Sequence, residues 1–237
     1  MAIQKIKAKD RFLTDYGWGR AYRLFSAAEY VDSANERFGA LEVFTDGKIE
    51  PGGGMDSHDH FDEEVVTVML EGSINHKDNL GNDLVMKAGE VSVMSAGKGC
   101  SHSEYNRSDR ALHLYQFWII PPTKGLEPYY LIKDYSSEDC RNKLLPIVSG
   151  QGHSEGLAIR SDAVAYLCDL DAGGSLDYEM KTGRLAFVYM REGDVVINGV
   201  SFGSGDQARI VDTDSLSFSS EKGCGFVFMD LPPVTGE

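Results

Sequence analysis

The stretch Gly52-Gly53-Gly54-Met55-Asp56-Ser57-His58-Asp59-His60 decides how this chain is read. In an extended strand, residues i and i+2 project to one side, so His58 and His60 present two imidazoles together. Forty-two residues after His60, the segment Ser101-His102-Ser103-Glu104 repeats that spacing with a histidine and a carboxylate. Two such pairs on facing strands supply three neutral nitrogens and one carboxylate oxygen, a set that suits Fe(II), Mn, Co, Ni, Cu or Zn. Three of the six histidines fall in these two motifs. Of the others, His113 alternates with Tyr115 and Phe117 on a strand face and reads as packed. His76, near Asp78-Asn79, and His153, in Gly150-Gln151-Gly152-His153-Ser154, read as solvated.

The surrounding pattern is all-β. Runs such as Glu64-Val65-Val66-Thr67-Val68-Met69-Leu70, Gly89-Glu90-Val91-Ser92-Val93-Met94 and Leu112-His113-Leu114-Tyr115-Gln116-Phe117-Trp118-Ile119 are short, apolar or alternating, and end at turn residues. Asn79-Leu80-Gly81-Asn82 reads as a turn. Helix signals are confined to Ser26–Tyr30 and Ser136–Cys140, each long enough for one capped turn. A weak repeat divides the chain: Leu70-Glu71-Gly72 with Gly89-Glu90 is echoed by Arg191-Glu192-Gly193 with Gly205-Asp206, at offsets of 121 and 116 residues. Two similar β domains explain it most simply, with a connection in 121–150 after the proline-rich Pro121–Pro128. We therefore expect an N-terminal barrel over 1–130 and a C-terminal barrel over 145–237.

The 237 residues include 23 basic and 37 acidic side chains, a net charge of −14. Phosphate backbones are repelled by such a chain, which argues against direct nucleic-acid binding. Eleven Tyr, eleven Phe and two Trp provide material for a packed core. No run approaches the roughly 18 apolar residues of a membrane span. The start, Met1-Ala2-Ile3-Gln4-Lys5-Ile6-Lys7, has no apolar stretch after its basic residues and reads as lacking a signal peptide. Cys100, Cys140, Cys168 and Cys224 form no CxxC pair. Reduced thiols in a cytoplasmic protein are the expectation.

The two histidine segments resemble the paired motifs of cupins. Gly52, His58, His60 and Glu64 match the first, and Gly72 closes it one residue late. Gly89, Ser95-Ala96-Gly97, His102 and Asn106 match the second, with serine in place of proline and two extra residues before the histidine. Met94-Ser95-Ala96-Gly97-Lys98-Gly99, His102-Ser103-Glu104, His76-Lys77-Asp78, Leu112–Gln116 and Asp230-Leu231-Pro232-Pro233 resemble the pirin family, especially its bacterial quercetinase-like members. That resemblance implies a bicupin: two β-barrels face to face, with one metal, usually iron, in the first. His58, His60, His102 and Glu104 take the ligand positions, and Glu64 becomes a strand residue near the site. Asp59, Phe61 and Asp62 depart from the family pattern and predict a more acidic entrance. The repeat offsets carry His58 and His60 near Glu179 and Lys181, and His102 and Glu104 onto Phe218 and Ser220, so the second barrel is expected to have no metal site.

The resemblance further implies a metal-dependent dioxygenase acting on a flavonol and O2 in the manner of quercetin 2,3-dioxygenase, with carbon monoxide released and Glu104 serving as ligand and base. The same resemblance allows a non-enzymatic regulatory protein, its metal structural or redox-sensing and its acidic surface turned to a protein partner. Cys100, two residues before His102, is either a thiol facing the site or a small buried hydrophobe.

Overall fold

Alternating apolar residues, interrupted by glycine turns, leave this chain few ways to bury its side chains except as paired sheets. The computed structural model describes residues 1–233, and within them strands follow one another with a three-residue 3₁₀ turn, Ala8–Asp10, as the sole helical element. The fold is a bicupin. Ser26–Tyr30 and Ser136–Cys140 are turns rather than short helices: an isolated bridge joins Ala27 and Tyr30, and Ser136 is tied to the carboxylate of Asp139. No helix among the described residues is long and apolar enough to cross a membrane.

The first half forms a seven-stranded sheet facing a four-stranded one. In the smaller sheet the order is Gly54–His60, Cys100–Tyr105, Ser73–Asp78, Asp83–Lys87. The second half builds a ten-stranded sheet around the 13-residue strand Leu185–Ile197, which bends between partners on both sides. Two ends differ from the sequence expectation. Strand Ala2–Ile6 pairs with Gln207–Val211 in the second sheet, so the chain's start belongs to the far barrel. Strand Tyr129–Asp134 pairs with Glu90–Ser95 and extends the first sheet past residue 130.

Burial distinguishes the barrels. The second is filled by an apolar cluster that includes Phe202, Phe218, Phe226 and Phe228, and Phe218 stacks on Phe226 at 5.1 Å. Phe218, where the repeat places the counterpart of His102, is thus packing. The first barrel instead splits its interior into two small clusters, one around Met69, Ile74 and Leu112 and one around Val65, Met94 and Cys100. Space remains beside them for polar groups. The largest cluster joins the barrels: Phe44 of the first meets Phe187 at 5.5 Å and Tyr189 at 5.0 Å from the second.

Glu64 lies at this junction and not beside the histidines. Period-2 alternation puts it on the face of Val66 and Val68, in the inter-barrel core, while Val65 faces the barrel interior. Its wholly buried carboxylate accepts the backbone N–H groups of Arg160 at 2.7 Å and Ser161 at 3.0 Å. Burial raises its pKa, and those amide donors offset the rise only in part. Replacing Glu64 with alanine strands two buried donors; Glu64→Ala is expected to lower the unfolding free energy by about 2–4 kcal/mol in urea titrations. A loss below 0.5 kcal/mol would show that the clasp contributes little.

Candidate metal centre

One register assembles the centre. Across the antiparallel pair of Gly54–His60 and Cys100–Tyr105, His102 lies directly opposite His58, and Cys100 opposite His60. A bulge after His102 then sets Glu104 against Met55, while on the other edge Glu104 faces His76 and His102 faces Asp78. Cys100, His102 and Glu104 alternate inward as buried residues. Close approach of the strands depends on Gly54, where a Cβ would overlap the carbonyl oxygen of Glu104.

Three imidazoles converge as a result. Nε2 of His102 lies 3.1 Å from Nε2 of His58 and 3.1 Å from Nε2 of His60. The far nitrogens are tethered: Nδ1 of His58 donates to the carbonyl of Asp56 at 2.8 Å, and Nδ1 of His60 to Oε2 of Glu63 at 2.7 Å. Both partners are acceptors, so each proton sits on Nδ1 and each Nε2 lone pair points inward. His102 has one N–H at most to offer between them, and its Nδ1 is buried with no partner among the described residues. Burial, working against the raising field of Glu104, lowers His102 to about 4 and keeps it neutral at pH 7. Converging imidazole nitrogens, two of them on tethered rings, fit a divalent transition metal.

Glu104 stands at one side of this triad. Its Oε2 accepts from Nε2 of Gln116 at 2.9 Å, and Gln116 reaches Thr67 at 3.3 Å. His58, His60 and His102 form one group of potential ligand atoms within 4.8 Å of one another; His76, His102 and Glu104 form a second. His102 belongs to both groups, so the expected ligands divide between them: His58 and His60 on one side of His102, Glu104 with His76 on the other.

His76 differs from the expected solvated residue. It is buried, its Nε2 lies 3.0 Å from Oδ2 of Asp78, and its ring stacks on Tyr130 at 4.5 Å. The strand Ser73–Asp78 carries it inward beside Glu104, a consequence of pairing that the local polar sequence conceals. His153 is exposed as expected. His113 is packed, its Nε2 2.6 Å from Oδ1 of Asp46 at the barrel junction. Cys100 points inward, yet its Sγ rests 3.5 Å from the Met94 sulfur, and burial pushes the thiol up to about 11. A buried small hydrophobe describes it.

A cavity of about 590 Å³ opens onto the centre, lined by His58 and Glu104 and walled by Tyr16, Trp18, Met55 and Trp118. The ring of Trp118 meets His60 edge-on at 5.0 Å. Asp59 and Asp62, expected to make the entrance more acidic, do not line this cavity among the described residues. Asp59 is exposed and accepts from Ser101 Oγ at 2.6 Å; Asp62 accepts from the amide of Gly125 at 2.6 Å. The cavity carries Glu36, Glu42 and Glu63 together with Arg20, Arg23 and Lys48, a mixed wall with no strong bias against an anionic substrate. Sequence reasoning missed Glu63, Gln116 and Trp118 as site residues. Glu63 sits three positions after His60, which was the available signal.

A bicupin with a cavity-facing histidine cluster in its first barrel defines the class of protein. The chain matches the Pirin family over residues 5–119 and the quercetinase C-terminal cupin domain over 146–231. It is 34% identical over 229 residues to the quercetin 2,3-dioxygenase of Escherichia coli (strain K12), covering 96% of this chain and 98% of that one. It is 35% identical over 217 residues to the pirin-like protein of Caulobacter vibrioides, covering 91% and 94%. The crystal structure of the bacterial pirin YhhW from Escherichia coli in complex with nickel(II) superposes with a TM-score of 0.93 at 33% identity, covering 98% of this chain and 100% of that one. The chain belongs to the pirin family and is of its quercetinase-like type.

The tether on His60 provides a test. Removing the carboxylate that orients a ligating imidazole reduces metal affinity by about 10–100-fold. Glu63→Ala is expected to show that loss in chelator-competition titrations, and Asp59→Ala to retain the affinity of the unaltered protein. Equal affinities for all three proteins would show that Glu63 does not orient a ligand.

Proposed function

We propose that this protein is a metal-dependent dioxygenase that opens the C ring of a flavonol with O2 and releases carbon monoxide, and that His58, His60, His102 and Glu104 hold its metal. The observation carrying this reading is the cavity that reaches His58 and Glu104. A metal with a purely structural role is closed off by its protein ligands, whereas these donors border a space of the size that takes a small aromatic molecule. The relatives named as quercetin 2,3-dioxygenases support the substrate class. Iron is the metal we assign, with nickel, cobalt, manganese, copper and zinc compatible with the donors.

A divalent metal at this centre supplies Lewis acidity toward an enolic hydroxyl and a meeting point for the substrate and O2. The chain supplies the rest. Trp18, Trp118 and Met55 offer apolar surface that covers aromatic rings and keeps water from them. Glu104, with Oε2 occupied by the Gln116 amide, has Oε1 available to accept the proton of the 3-hydroxyl. Gln116, braced by Thr67, fixes the direction of that carboxylate. Both oxygen atoms of O2 enter the products, and ring carbon C3 leaves with its oxygen as carbon monoxide.

Oxygen uptake with quercetin, accompanied by carbon monoxide detection, tests the proposal. Metal-loaded protein is expected to consume O2 and release carbon monoxide in equal amounts, and chelation is expected to abolish both. Glu104→Gln is expected to slow turnover by about 10²–10⁴-fold. Uptake by neither protein would remove the activity. Equal rates at equal metal content would remove Glu104 as the base.

A further inference from the structure

A second cavity, about 310 Å³, lies where the two barrels meet and is lined by Arg209, an arginine that forms no ion pair among the described residues. Arg209, on the strand Gln207–Val211, is 7% exposed. Its Nη2 donates to the carbonyl of Leu24 at 3.1 Å and to Oε1 of Gln207 at 3.2 Å, and Nε reaches that same oxygen at 3.4 Å. All these acceptors are neutral. Nη1 has no partner among the described residues, and no carboxylate there lies within ion-pair distance of the guanidinium. Arg209 stacks over Phe25 at 4.2 Å, which favours the cation but provides no acceptor for its remaining N–H groups.

The same cavity is bordered by Arg23, whose Nε is buried without a partner, and by Arg11, Asn35 and Gln207. Asp10 and Asp32 are the acids on its wall. Asp10 is exposed, and the carboxylate of Asp32 accepts from the amide of Ala34 at 3.0 Å and from the hydroxyl of Tyr30 at 3.2 Å. Arg11 is paired with Asp46 at 3.4 Å and Arg23 with Glu29 at 3.7 Å, so Arg209 is the guanidinium of this wall that has no ion-pair partner among the described residues. Burying a charge without a partner is costly, and a planar fork with free N–H groups matches an oxyanion. The volume lies at the lower end of small-molecule sites, about 300–1,000 Å³.

We propose that this cavity is an oxyanion site that takes a phosphate group, free or carried by a small organic molecule, against Arg209 and Arg23. The site is independent of the proposed dioxygenase activity. It has a structural connection to the metal cavity, because Arg23 borders both spaces. The segment that follows contributes Ser26 and Ala27 to the wall of the metal cavity, and Asp32 and Asn35 to the wall of this one. A phosphate group held here would brace that segment between the barrels.

Thermal unfolding of the metal-loaded protein in phosphate, against chloride of equal ionic strength and pH, tests the site. The expected result is a saturable rise in Tm, about 3–6 °C at ten times Kd. Arg209→Met is expected to abolish the rise and Arg23→Met to diminish it. If Arg209→Met does not fold, Arg209→Lys, which keeps the charge but loses the fork, is expected to need at least tenfold more phosphate. Glycerol 3-phosphate run alongside separates the two sources: a stronger response than to inorganic phosphate identifies a carried group, and a weaker one the free ion. The proposal is overturned if phosphate stabilises no more than chloride, if Arg209→Met and Arg209→Lys respond as the unaltered protein does, or if chelator-treated protein loses the response, which would assign the phosphate to the metal.

Discussion

The antiparallel register that sets His102 opposite His58 is the constraint on which the rest of the site depends. Because side chains alternate along a strand, this single pairing also fixes the sides on which His60 and Glu104 emerge. A slip of one residue would turn every one of them to the opposite face. The bulge between His102 and Glu104 makes a local exception and aims the carboxylate toward Gln116. Tethers from Asp56 and Glu63 then settle which nitrogen of each imidazole faces inward.

The two barrels divide the work. The second packs an apolar cluster rich in phenylalanine, whereas the first keeps polar groups between two small apolar clusters. Their junction holds the largest apolar cluster, and its polar contacts are specific. Glu64 receives amides from the second half, and Asp46 is bonded to His113, Tyr189 and Arg11. Burial pushes Asp46 upward, but those hydrogen bonds and the Arg11 charge pull harder and lower its pKa overall.

Much of this was legible in the sequence because it rests on local periodicity. Period-2 spacing revealed His58 with His60 and His102 with Glu104, and glycine-bounded runs revealed the strands. The half-length echo revealed the two barrels, and it placed Phe218 where a ligand would otherwise stand. What was not legible depends on pairing between distant strands. His76 sits in a polar stretch, and only its position beside Cys100–Tyr105 makes it buried. Glu64, expected as a strand residue near the site, is sent by alternation to the opposite face of its strand from Val65. Asp59 and Asp62 are likewise close to the histidines along the chain and turned away from them in space. Strand Ala2–Ile6 crosses to the second barrel, a long-range choice that no local pattern encodes.

Anomalous diffraction at the absorption edge of the metal that copurifies with the protein tests the central claim most directly. The account predicts one peak per chain within about 2.0–2.2 Å of Nε2 of His58, His60 and His102 and of a carboxylate oxygen of Glu104, bordering the Trp18–Trp118 cavity. No peak, or a peak displaced to His76 and Asp78 with His58 and His60 uncoordinated, would contradict it.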